Sequence, residues 1–171
     1  MARPDRRLWL DAEDATALAA LHERWRSVRE CLGERVRHAL WLCEYGFRIQ
    51  FLEVALPHYV TALEALLNTD EHGTGRQFRD RVPQLAAAVG VDDVDEELCR
   101  QVWRERSRWT HGQRVSLRVA DKPERADVLD RLQRVLRFAL RSCIEGESFR
   151  RCFADPGAVR NSFPLRSPHR G

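Results

Sequence analysis

Residues Trp103 to Gly112 read WRERSRWTHG, and this stretch gathers the side chains best suited to chemistry on a phosphodiester. His111 can exchange protons near neutral pH. Arg106 cannot act as a base, but its guanidinium offers a fixed fork of donors to phosphoryl oxygens. Ser107 lies four residues before His111 and shares its helix face, where it would orient the imidazole or a phosphate. Between Arg100 and Arg118 stand six arginines, Arg104, Arg108 and Arg114 among them, against one acid, Glu105. With Trp103 and Trp109 interleaved, such a patch suits a nucleic-acid backbone with stacked bases. Cations toward a helix C-terminus also complement its dipole, so charge alone leaves both readings open.

Geometry restrains the pairing of Arg106 with His111. At about 100° per residue they sit roughly 140° apart on an ideal helix. Either the last turn loosens before Gly112, or the arginine reaches around, or a second chain supplies the complementary group. Gly112 fits a helix C-cap, which brings the imidazole near free carbonyls and favours its protonated form; Arg106 and Arg108 oppose that. Glu64 on an upstream helix is a natural ion-pair partner for Arg106, as a purely structural contact or as the group that orients it. The remaining histidines are scattered and read as surface or satisfied core residues. The five tryptophans (Trp9, Trp25, Trp41, Trp103, Trp109) suit core and interface better than a base-stacking platform.

The phrase formed by Arg106, Ser107, His111 and Gly112 resembles the R-x4-H signature of the HEPN superfamily. Together with Ala62-Leu63-Glu64-Ala65-Leu66-Leu67 upstream, it is similar to the ApeA-like branch. A helix containing Phe78, Arg79 and Arg81 lies between the two, where similar sequences place one. The resemblance covers about residues 36–146. It implies a bundle of four or five helices, a homodimer with facing motifs in a cleft, and a metal-independent endoribonuclease in a bacterial defence or toxin–antitoxin setting. In this reading Arg106 and His111 are the working pair, with Ser107 supporting them. Arg104, Arg108 and Arg114 would hold single-stranded RNA, with Glu64 and Trp103 behind the site and no cofactor. An antitoxin or other defence protein would be a further partner. Other members have lost activity, so an inactive helical module binding RNA, nucleotide or a partner protein is the alternative. Where one subgroup carries a modifiable tyrosine two residues after the histidine, this chain has Gln113, and such regulation is not implied.

The elements that must position these residues are helical almost throughout. Leu18, Leu21, Trp25, Val28 and Leu32 alternate steps of three and four, with Asp11 and Asp14 at the start and Gly33 to stop the helix. Val36, Leu40 and Cys43 continue a second helix to Tyr45-Gly46-Phe47. Leu52, Leu56, Tyr59, Leu63 and Leu66 form the strongest stripe, where Pro57 predicts a kink or a new helix start. Residues 68–75 are turn chemistry. A short helix from about Gln77 ends at Gly90. The acids at 92–97 then begin a helix that carries Val94, Leu98, Val102 and Trp109 inward and ends at Gly112. Residues 115–119 alternate like a strand but have no evident partner. Asp121-x-x-Glu124 reads as a capping box for the last long helix, whose core face is Leu129, Leu132, Leu136, Ala139, Leu140 and Cys143. Beyond Gly146 the chain is basic and punctuated by proline, and is expected to fray after one short helical turn.

These elements define an all-α protein, an antiparallel helical bundle with an extra N-terminal helix and a short C-terminal helical tail. It is a single domain over 1–171, with 147–171 as a basic tail. The 171 residues suit one domain, and a chain of this length buries roughly 70% of its unfolded surface. Hydrophobic residues at 43% and charged residues at 32% exclude a disordered or collagen-like chain. The net charge of +3 is too small to announce a nucleic-acid binder by itself. Lys122 is the only lysine among 29 cations, and a GC-rich genome accounts for that most simply. The start has no apolar signal-peptide core, and no stretch of apolar residues is long enough to span a membrane. Five cysteines without CxxC or zinc-ligand spacing read as reduced structural thiols in a cytoplasmic protein.

Overall fold

The computed structural model describes residues 12–49, 52–110 and 123–166. Among them are eight α-helices and no strand: α1 (Ala12–Val28), α2 (Glu34–Phe47), α3 (Leu52–Leu67), α4 (Thr74–Ala88), α5 (Glu96–Thr110), α6 (Pro123–Glu145), α7 (Glu147–Arg151) and α8 (Pro156–Ser162). The expected all-α bundle is therefore present. His111, Gly112, Gln113, Arg114, residues 115–119 and Asp121 lie outside the described residues.

Helix α3 runs through the centre, burying Ala55, Tyr59, Val60, Ala62, Leu63, Leu66 and Leu67. Helix α2 packs antiparallel to it. Arg35 at the start of α2 donates to the carbonyls of Ala65 (3.3 Å) and Asn68 (2.5 Å), while Tyr45 near its end meets the His58 ring at 4.8 Å. Gly46 permits this closeness, since a methyl group there would stand 3.2 Å from the Tyr59 ring. The Tyr59 hydroxyl, buried with its ring, accepts a hydrogen bond from Gln133 Nε2 at 2.8 Å, joining α3 to α6. Every residue of the expected α6 core face is buried, and Val135 joins them. Helix α4 ends as the sequence indicates. Gly90 takes φ of +75°, and Val91 N–H donates to Ala86 O (2.9 Å) while Gly90 N–H donates to Ala87 O (3.2 Å). This doubly bonded left-handed stop favours glycine because a Cβ is strained there. Asp95 caps α5, its Oδ1 accepting from Leu98 N–H at 2.8 Å.

Several details differ from expectation. Gly33 does not stop the first helix; α1 ends at Val28, a single 3-10 turn follows, and Gly33 instead precedes α2, its carbonyl accepting from Arg37 N–H at 3.1 Å. Pro57 starts no helix, for α3 begins at Leu52 and continues through it. Helix α4 begins at Thr74, so Thr74 and Gly75 are helical instead of turn residues. Leu18 is exposed, and the α1 stripe is only partly buried.

The largest difference is the C-terminal segment, which forms two helices and enters the core. Phe153 and Phe163 stack with ring centroids 5.8 Å apart, Phe149 meets Phe153 edge-on, and Phe153, Val159 and Phe163 are buried. Local composition hid this, because three aromatics were diluted among arginines and prolines and gain their value only on docking. The segment is held by Arg81, whose side chain is 1% exposed. Its Nε donates to Phe163 O (2.9 Å), and one terminal nitrogen donates to Leu67 O (2.7 Å), Thr69 Oγ1 (3.1 Å) and Gln77 Oε1 (2.6 Å). Alongside, Gln84 Nε2 donates to Pro164 O (2.8 Å) and Arg166 N–H to Asp80 Oδ2 (3.2 Å).

Deleting the Phe153 ring removes this aromatic contact and leaves a cavity. Phe153→Ala should lower unfolding free energy by about 3–5 kcal/mol in urea titration; a loss below about 1 kcal/mol would show that the segment does not dock.

Candidate functional site

The second half of α5 projects the site. Trp103 and Arg106 lie one turn apart, with the Arg106 guanidinium carbon 5.1 Å from the Trp103 ring centroid. That is within the range of a cation–π contact. Trp103 is seated against Phe78 of α4, centroids 5.6 Å apart. It also covers Gly75, where an added Cβ would lie 2.8 Å from the indole Cε2 and Nε1. The first turn of α4 therefore lacks a side chain where the indole rests.

From the other side, Glu64 on α3 reaches the same guanidinium. Arg106 donates from a terminal nitrogen to Glu64 Oε2 at 3.3 Å, with side-chain exposures of 27% and 11%. Glu64 also receives a long hydrogen bond, 3.4 Å, from Asn68 Nδ2 one turn on. Burial raises the Glu64 carboxyl above its ordinary range, while the Arg106 charge and the Asn68 amide draw it back. The site thus pairs a carboxyl group whose burial opposes its ionisation with a guanidinium held on two sides.

The other expected residues divide clearly. Ser107 is half-buried beside Arg106, whereas Arg104 and Arg108 are exposed, Arg108 bonding Glu105 at 3.0 Å. His111 and Arg114 fall outside the described residues, as does the Trp109 side chain. Arg100 belongs to the start of α5, where it bonds Glu96 at 2.8 Å and also pairs with Glu97. The structure therefore joins Arg106, Glu64 and Trp103 and places Ser107 next to them. Sequence reasoning missed Gly75, Phe78 and Asn68 as the support for this group. Gly75 reads as turn chemistry in the sequence, and its position 28 residues before Trp103 gives no local sign of contact.

Among the described residues no group of three or more His, Cys, Asp and Glu side chains is arranged to hold a metal ion, and no helix is long and apolar enough to cross a membrane. All five cysteines are free; burial pushes the Cys99 and Cys143 thiols up to about 12, with Asp95 reinforcing it at Cys99 and Cys152 at Cys143. Neither Cys99 nor Cys143 is poised as a nucleophile. No protein-family model, curated protein or solved structure matches the chain.

Gly75→Ala gains helix propensity worth about 1 kcal/mol, but the 2.8 Å clash with Trp103 outweighs it. The variant should lose about 1–3 kcal/mol of stability and shift the tryptophan fluorescence; a more stable protein with an unchanged spectrum would refute the contact.

Glu64 gives a pH dependence of definite sign. Its folded-state value is raised, so the folded chain holds the proton more tightly than the unfolded chain. This contribution favours folding below the ordinary glutamate range and is lost as pH rises through the raised value. Wild type should therefore lose stability relative to Glu64→Gln across that window, followed by urea titration at successive pH values. The opposite slope would mean that the Arg106 attraction dominates burial.

Proposed function

We propose that the chain is a metal-independent endoribonuclease of the HEPN type, acting on single-stranded RNA as a homodimer in a defence or toxin–antitoxin setting. The observation that carries the reading is the Arg106 guanidinium, fixed between the Glu64 carboxylate and the Trp103 ring at the end of α5, five residues before His111. Cleavage of RNA by its own 2′-hydroxyl requires removal of that proton, stabilisation of charge on the phosphoryl oxygens, and a proton for the leaving 5′-oxygen. His111 is the proton-exchanging group. Arg106, oriented before substrate arrives, donates to the phosphoryl oxygens as charge accumulates there. Glu64 acts through Arg106 as a positioning residue, and Arg104 and Arg108 supply exposed cations for the flanking backbone. The 2′-oxygen forms the new bond to phosphorus as the 5′-oxygen leaves, giving a 2′,3′-cyclic phosphate and a 5′-hydroxyl.

One observation favours a second reading. Glu64 already engages the Arg106 charge, as a purely structural ion pair would, and an inactive module could use the same surface to bind RNA without cutting it.

Purified protein should cleave single-stranded RNA in EDTA, leaving cyclic phosphate ends. Arg106→Ala and His111→Ala should each slow the reaction by at least about a hundredfold. Cleavage that survives both substitutions removes the assignment, and salt-dependent RNA binding without product establishes the second reading.

A further inference from the structure

Helix α2 is apolar on two sides. Val36, Ala39, Leu42 and Gly46 face the core, yet the opposite side presents Trp41 and Tyr45 at 60% and 49% exposure. Their rings stack, with centroids 5.8 Å apart and planes 20° from parallel, and His38 extends the row 6.3 Å from Trp41. His58 of α3 supports its far end against Tyr45. The row continues into charge: Glu34, His38, Trp41, Tyr45 and Arg48 follow one another at steps of four, three, four and three. Such alternation traces the seam along which one helix packs on another.

The charges around Trp41 are complementary to themselves when the sequence is reversed. Glu34 and Arg48 stand seven residues to either side, Arg37 and Tyr45 four, and His38 and Glu44 three. When two copies of α2 lie antiparallel about a twofold axis at Trp41, Glu34 meets the partner's Arg48, Arg37 meets the partner's Tyr45, and His38 meets the partner's Glu44. Each contact occurs twice, as an isologous interface requires. The same charges argue against a nucleic-acid platform. Glu34 and Glu44 balance Arg37 and Arg48, Arg35 is turned inward onto α3 carbonyls, and the exposed Arg48–Glu44 ion pair within α2 opens when Arg48 meets the partner's Glu34. A phosphate backbone would find no net positive field there.

We propose that the outer face of α2 is the surface on which two copies of this chain associate, antiparallel and centred on Trp41. The inference rests on α2 alone. A dimer that forms through another face would overturn it and leave the ribonuclease reading intact, because that reading is judged by cleavage products. A wild-type monomer would count against the homodimer in both.

The test uses the full chain in sedimentation equilibrium. Wild type should dimerise, and Trp41→Ala, Glu34→Arg and Arg48→Glu should each raise the dimer Kd at least about tenfold with helical circular dichroism retained. In Glu34→Arg homodimers two arginines oppose each other at both ends, and in Arg48→Glu homodimers two glutamates do. Mixing the two variants pairs opposite charges at both ends and should restore a heterodimer of wild-type affinity. Unaltered self-association of either charge variant, or no recovery on mixing, overturns the proposal. A wild-type monomer whose RNA binding weakens with Trp41→Ala overturns it in favour of base stacking.

Discussion

The buried Arg81 guanidinium is the contact on which the bundle converges. A charge removed from water is costly unless its hydrogen-bonding capacity is met. Burial lowers the Arg81 pKa, and the nearby Asp70 carboxylate opposes this most strongly, but arginine remains protonated. Its donors are directed to the end of α3, to Thr69, to Gln77 one turn earlier on α4, and to Phe163 near the end of the described chain. Three of these acceptors lie outside its own helix, so one side chain fixes the relation of α3, the following turn and the closing segment.

The candidate site inherits its geometry from that arrangement. The α3–α4 turn, held by Gln77 through the Thr69 N–H and the carbonyls of Asp70 and His72, sets where α4 begins. The start of α4 brings Gly75 under the Trp103 indole, and Trp103 in turn backs the Arg106 guanidinium. Glu64, one turn before the end of α3, closes the opposite side. The site is thus assembled from three helices whose mutual placement is decided beneath it, by groups that never face a substrate.

Much of the bundle was legible because burial imposes a repeat of three and four on each helix. Leu129 through Cys143 on α6 and the stripe on α3 show this plainly, as does Gly90 at a helix end. The pairing of Glu64 with Arg106 was legible as a chemical option, and only the packing of α3 on α5 selects it. Arg81 was not legible. Nothing local distinguishes it from the exposed arginines, since its acceptors on Leu67 and Phe163 lie 14 and 82 residues away. The aromatic C-terminal contact was hidden for the same reason. Trp41 is the converse case, a large ring placed outward although residues of its kind usually fill cores.

The bond from Arg81 to the Phe163 carbonyl also sets an order of events during synthesis. The two residues are 82 positions apart, which at roughly 5–20 residues per second separates their translation by roughly 4–16 s. Helices α3 and α4 emerge from the ribosome well before their last partner exists. Throughout that interval the Arg81 Nε–H lacks its Phe163 acceptor, and the edge that the closing segment covers is open.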